Sequence, residues 1–295
     1  MQVRVKTKSF YLQNHKSSRV GKFLRNPWGV GPAFLVLVLI VVAAVPQWFA
    51  PYSPYAQIPG ALTAIGAPHG PSTRFILGVD PLGRDVLSRI IWGTRATLEV
   101  GLGATTISMI VGTAVGVIAG YFGGAVDFFL GRVVDVLLAF PALLFVVLLV
   151  SVLSPSLLII MVVLAFFGWA PIARFTRGLV LTVRQEMFVE SAAAIGATHL
   201  RVMVRHILRN IISQAVVYGL TIVGANVLTL AALSYLGLGL PPPAPNWGAM
   251  VYDGQTYLQT APWLFFYPGL AISLTIVAFN LLGDALMETI GTVGR

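Results

Sequence analysis

The side chains able to do chemistry in this chain cluster in one stretch, EMFVESAAAIGATHLRVMVRHILRN at 186–210. It holds Glu186, Glu190, His199, His206, Arg201, Arg205 and Arg209, with Arg184 just before it. His with Glu first suggests metal or acid–base work. His199 and His206 are seven apart and share a helix face, but no acidic or Cys partner accompanies them. H-E-x-x-H is absent. A phosphate-cradling loop needs Gly-Lys followed by Ser or Thr. All four Lys lie within the first 22 residues, and Gly21-Lys22 is followed by Phe23. Cys is absent, which removes disulfides, thiolate metal sites and a Cys nucleophile. No Ser is paired with a His inside the apolar runs. Asp284 and Asn280 are the best polar candidates within them, and Asp284 reads first as a membrane-boundary residue. The sequence therefore offers no catalytic residue, no metal site and no cofactor site in this chain.

The elements around the cluster suggest a surface. From Leu200 the apolar residues fall at 200, 203, 204, 207, 208 and 211, which is helical spacing with one greasy stripe. Arg201, Arg205 and Arg209 recur every four residues on a neighbouring face. Like charges at that spacing repel slightly. Snorkelling to a membrane interface is one sufficient reason for the row. Before it, an Ala-rich helix is expected at about 186–195, where Ala favours helix and keeps a thin profile. Gly196 then permits a bend that a Cβ would hinder. Two readings stay open on these features: a compact knob whose small residues admit a partner surface, and an ordinary basic loop on the membrane.

The rest of the chain is too apolar for water. Of 295 residues, 57% are hydrophobic and only 10% charged, where a soluble domain carries about 25% charge. Mean hydropathy is +0.86. The +9 net charge is no nucleic-acid footprint, because the basic residues flank apolar runs and the N-terminus. A bilayer core of about 30 Å needs roughly 20 apolar helical residues. Six spans are expected, at about 31–50, 98–122, 133–153, 156–180, 213–236 and 263–285. The first reads as a retained anchor, since no clean small-x-small cleavage site follows it. The expected fold is all-α and polytopic. Residues 1–30 form a basic cytoplasmic tail, 31–50 the first span and 51–94 an external loop. Residues 95–290 form a five-helix core whose cytoplasmic loop is 183–212.

Lys and Arg orient this plan. They crowd the tail before span one and the loop between spans four and five, and none lies in 237–262. Both termini then face the cytoplasm, with 52–95 and 237–262 outside. Arg74, Arg84, Arg89 and Arg95 violate the rule mildly, offset in part by Asp80 and Asp85. Span two reads Gly112-x-x-x-Gly116-x-x-x-Gly120, a row of small residues that lets another helix approach closely. Tight packing within the chain is the plainer reading of that row. A moving or pathway-lining helix is the sharper one.

Glu190-Ser191-Ala192, then Gly196-Ala197, then Ile207-Leu208 resembles the EAA loop of ABC importer permeases. Ser191 stands where that family has Ala, and Arg209 stands where Pro usually follows the Ile-Leu pair. The second departure predicts a less kinked start to span five. The resemblance extends over about 70–295. LGVDPLGRDVLSRIIWGTRATL (77–98, with Val79 for the usual Thr), AGYFGGAVDFFLGRVVDVLLAFP (119–141), LSYLGLGLPPPAPNWGAM (233–250) and PGLAISLTIVAFNLLGDAL (268–286) are similar to segments of the dipeptide, oligopeptide and nickel permeases. The long polar loop after span one resembles the second permease type of such transporters.

That resemblance implies a type I importer half in a bacterial or archaeal cytoplasmic membrane. Its partners would be a second homologous permease, two ATP-binding subunits that hold ATP and Mg, and an extracytoplasmic solute-binding protein. Glu190, Ser191, Ala192, Gly196 and Ala197 would couple ATPase closure to the spans, with Ala192 against an ATPase subunit. Peptide uptake is the first expectation and nickel the alternative. An ion-coupled secondary carrier or an intramembrane enzyme remains the alternative of another class.

Overall fold

The computed structural model describes residues 27–291, and within them the chain is helical with two isolated β-bridges. Helix α1 spans Pro27–Ala44 and the short α2 spans Pro46–Phe49. The expected span at 31–50 therefore stops at Ala44. Pro46 supplies no N–H and disfavours helix at Val45 before it. Residues 50–85 fold over a small core of Ala61, Phe75 and Val79.

Helix α3, Val86–Phe122, has 37 residues and no internal proline, a length of about 55 Å. Asp85 caps it, accepting from the Ser88 N–H at 2.8 Å. This helix starts inside the stretch expected as external loop, because Asp85 supplies an N-cap well before the apolar run begins. Helices α4, Gly124–Ala139, and α5, Ala142–Leu153, meet at an 80° bend. The single span expected at 133–153 is thus broken at Phe140-Pro141. Proline holds Phe140 extended, at φ −86° and ψ 142°.

Helix α6, Leu157–Val183, is capped by Ser156 and runs through Pro171. The short α7 is Met187–Ala194 and α8 is His199–Arg201. A π-helical turn, Val202–Leu208, leads without a break into α9, Arg209–Tyr235. Span five is accordingly longer than the expected 213–236, and Arg209 sits in a continuous helix. The loop expected at 237–262 contains helix α10, Trp247–Gln255, and the described residues end on α11, Trp263–Gly291.

Close approaches give the directions. Along α3, Gly112, Gly116 and Gly120 meet successively later residues of α6, so these two helices run parallel. On α9, Gly219 meets Met109 of α3 while the later Val227 meets the earlier Gly101, so α9 runs antiparallel to it. Parallel neighbours need a return crossing between them, and the bent α4–α5 pair supplies it. Among the described residues, α3, α6, the continuous His199–Tyr235 helix and α11 are long and apolar enough to cross a membrane. The bent pair makes a fifth crossing, and α1 is a shorter apolar helix. Large side chains such as Phe34, Ile110, Leu144 and Phe266 are exposed on the outside of the bundle. A surface of that kind needs lipid or protein against it.

At the N-terminal end of α3 the loops form a tightly bonded cap. The Trp247 indole N–H donates to the Ile90 carbonyl at 2.9 Å, and that of Trp263 to Val79 at 3.2 Å. Asp80 accepts from the Leu82 and Arg84 N–H groups and from Arg84 Nε at 2.6 Å. Arg89 is only 5% exposed and donates to the Pro54 carbonyl at 3.1 Å.

Candidate coupling site

The charged stretch at 186–210 folds at the other end of α3. Helix α7 carries Glu190 and Ser191 on its outer face, both exposed. Gly196 follows in the left-handed region at φ +83°, with open space around its Cα. That φ suits a residue without a Cβ. Thr198 then caps α8, its hydroxyl accepting from the Arg201 N–H. Ala197 is half-buried, and its N–H donates back to the Ala192 carbonyl at 3.1 Å.

The inner face of this knob is a compact core. Val189, Ala192, Val202, Ile207 and Ile211 pack with Val117 of α3 and Val180 of α6. Ala192 is 5% exposed within that core. This revises the expectation that Ala192 touches an ATPase subunit, because its methyl is already covered by its own chain. On an eight-residue helix only one stripe can face outward, and Ala192 lies on the other. The most outward apolar side chains are Met187 and Ile195, 81% and 86% exposed, with Phe188 less so and Leu200 beyond the turn. Arg201, Arg205 and Arg209 are exposed and form no ion pair among the described residues.

Polar contacts fasten the knob to its surroundings. The Tyr121 hydroxyl and His199 Nδ1 lie 2.8 Å apart, and their rings meet edge to face at 5.7 Å. Arg184, the C-cap of α6, donates from Nη1 to the carbonyls of Gly120 at 2.9 Å and Tyr121 at 3.3 Å. Arg177 pairs with Asp127, and Arg174 with Asp135, tying α4 to α6. His199 and His206 are not brought together by these contacts.

The three glycines of α3 lie on α6. A Cβ on Gly116 would stand 2.6 Å from the Ala173 carbonyl oxygen and 2.7 Å from Thr176 Cβ. One on Gly112 would meet Ile172 Cβ at 2.8 Å, and one on Gly120 Val180 Cβ at 2.8 Å. This row faces the interior of the chain and joins α3 to α6 rather than facing lipid. Tyr121, Asp127 and α10 were not singled out by sequence reasoning as parts of a site. For α10, Asn246 before Trp247 is a readable N-cap signal. For the Asp127–Arg177 pair, 50 residues apart, no local signal exists.

A long, unbroken helix with a glycine seam, a bent return crossing, and a turn-linked pair of short helices before the next span define a class. Residues 112–291 match the family described as "Binding-protein-dependent transport system inner membrane component". The chain belongs to that family: it is an inner-membrane permease component of an ABC importer, of the dipeptide and oligopeptide kind. Among its relatives is the glutathione transport system permease protein GsiD of Pectobacterium atrosepticum. It is 38% identical over 269 residues, covering 91% of this chain and 88% of the relative. The proteins of that name from Escherichia coli O6:K15:H31 and Shigella boydii serotype 4 match at the same identity and coverage.

Proposed function

We propose that this chain is the second of two permeases that together form the path for peptide uptake, driven by two ATPase subunits and fed by an extracytoplasmic binding protein. In this reading α1 completes a set of six crossings. Both termini and 183–212 face the cytoplasm, and 51–94 and 237–262 face outside. ATP and Mg belong to the partner subunits, and this chain contributes no hydrolytic group. The knob at 187–208 is what the ATPases grip.

The observation that carries the reading is the form of that knob. Its inner face is packed into the chain's own core, while Met187 and Ile195 stand fully out beside Glu190 and Ser191. Apolar side chains that far into solvent suit burial in a partner. Closure of the ATPases changes the contacts made there in two states, which is all that coupling requires. The relatives named for glutathione transport favour a short peptide over nickel as the substrate class.

ATP-dependent uptake of radiolabelled glutathione by vesicles holding the full set of subunits tests the whole reading. Uptake must vanish without ATP and persist when ion gradients are collapsed. Uptake that follows the gradient and ignores ATP returns a secondary carrier. Single-Cys labelling tests the topology, since the chain has no Cys of its own. A Cys at 253 is expected to react only from outside.

A further inference from the structure

The knob holds the C-terminal end of α3 from both sides of α7. Before α7, Arg184 donates to the Gly120 and Tyr121 carbonyls. The last four carbonyls of a helix lack intrahelical donors, and a guanidinium there satisfies them and suits the negative end of the helix dipole. After α7, His199 meets the Tyr121 hydroxyl at 2.8 Å, and the Phe122 ring lies 5.8 Å from the imidazole. Between these two holds, Val117 and Tyr121 pack on Val189, Ala192, Val202 and Ile207.

We propose that Tyr121 and His199 are positioning residues of coupling: through their hydrogen bond and the Arg184 clamp, the knob drives the cytoplasmic end of α3 directly. This rests on the importer reading and adds a second route to it. The first route is covalent, since α8 and the π turn run straight into α9. The second is non-covalent and reaches α3, which sequence order separates from the knob by 64 residues from Tyr121 to Gln185 at the start of the turn. Through the glycine seam, α6 must then move with α3, because backbone contacts that close leave no room to slide. The whole α3–α6 pair becomes the element that ATPase closure displaces.

Position accounts for the residue types. A tyrosine at the helix end buries its ring in the knob core and leaves its hydroxyl at the edge, where a neighbour can reach it. Histidine offers a ring nitrogen on an exposed backbone turn without adding bulk to the core. Neither residue touches the transported solute or the nucleotide, so each acts through α3 alone.

The test uses the complete transporter in vesicles, with radiolabelled glutathione as the transported probe. Two ratios are read: uptake per ATP hydrolysed, and stimulation of hydrolysis by the binding protein, which does not depend on substrate identity. Tyr121→Phe and His199→Leu are each expected to lower both ratios about three- to tenfold, the range that one lost hydrogen bond carries. In Tyr121→Phe, which lies outside the gripped segment, basal hydrolysis and subunit association stay unchanged. His199→Asn, whose side-chain amide can replace Nδ1, keeps the wild-type ratios. The double variant Tyr121→Phe/His199→Leu loses no more than either single one, because both remove the same bond.

Wild-type ratios in Tyr121→Phe and His199→Leu overturn the proposal, and so does a double variant whose loss is the product of the single losses. Gly196→Val separates the two claims. If it uncouples while the Tyr121 and His199 variants do not, the link to α3 is wrong and the importer reading stands. If all three keep wild-type coupling, the importer reading of the knob falls with it. His199 is exposed, so its variants do not depend on repacking the core.

Discussion

The two ends of α3 are held by different chemistry. At its N-terminal end the cap is bonded through indole N–H groups to backbone carbonyls, with a buried arginine and a carboxylate that accepts from backbone and side chain alike. Its bonds are partly desolvated, which makes them costly to break. At the C-terminal end, the knob is joined by Tyr121–His199 at an exposed position and by one arginine, and it leaves large apolar side chains uncovered. The difference shows which end is tied more firmly. The cap is held by buried polar bonds and the knob by an apolar core with one exposed bond, while apolar side chains stand uncovered at both, Ile65 and Leu82 at one and Met187 and Ile195 at the other.

Four substitutions break or sharpen that contrast. The largest effect belongs to the rod that joins the ends. Gly116→Leu places side-chain carbons where a carbonyl oxygen stands 2.6 Å away, and no rotamer relieves a clash with backbone. Overpacking normally costs about 1–3 kcal/mol, but here it parts two helices. The protein is expected to fail to accumulate in the membrane, read by yield and by size-exclusion behaviour in detergent. Wild-type yield would mean that the seam opens easily and that the two ends are independent.

Next comes the cap. Trp247 is 2% exposed and bonded to Ile90, so Trp247→Ala leaves a cavity and removes one donor from a carbonyl that keeps the Thr94 hydroxyl. The expected loss is about 3–5 kcal/mol, read as a lower thermal midpoint in detergent, with ATPase association unchanged. A variant that lost ATPase binding instead would erase the contrast between the ends.

Third is the knob. Gly196→Val forces a β-branched residue to φ +83°, at a cost of about 1–2 kcal/mol. Insertion of the spans should be normal, and the thermal midpoint should move less than for Trp247→Ala. Uptake per ATP should fall well below wild type. A knob variant that destabilised the chain more than the cap variant would reverse the assignment of the two ends.

The smallest effect concerns pH at the cap. Burial raises the Asp253 carboxyl above its ordinary 3.8, partly opposed by Arg89 and Arg84 and reinforced by Asp80. The folded-state value then exceeds the unfolded one. Its contribution to stability is full below 3.8 and is lost as pH rises through the folded value. Asp253→Asn should flatten that slope in a melting series, by a margin reduced by solvent screening. An unchanged slope would assign it to other groups.

Much of this architecture was legible from apolar length alone. The runs at 98–122, 156–180, 213–236 and 263–285 each fall on one long helix, the second and third overshooting it by the single cap residues Ser156 and Leu236, since a stretch that greasy has few other solutions in lipid. Their ends were less legible. Asp85 starts α3 thirteen residues before Leu98, where the expected span begins. Pro141 was in plain view inside a span, but a proline inside a helix is tolerated at Pro171 and breaks the chain at Pro141. The neighbours decide that difference, and they are distant in sequence. At the site, the Ala-rich helix and the bend at Gly196 follow from local propensity. The inward aim of Ala192 does not, because a short helix of small residues has no pattern strong enough to mark its buried face. Tyr121–His199 joins positions 78 apart, and nothing in either neighbourhood announces the other.

The π turn at Val202–Leu208 has a consequence for which changes this chain can absorb. Each helical residue advances the backbone by about 100° and 1.5 Å. The number of residues between His199 and Arg209 therefore fixes the angle at which the knob faces α3. A single insertion or deletion that the turn does not absorb would swing His199 by about 100° and carry it away from Tyr121. A single substitution at an exposed position such as Val204 leaves that angle intact. For this segment, length is the inherited constraint and spelling is the freer one. Insertions and deletions should be lethal to transport in a stretch where many point changes pass unnoticed.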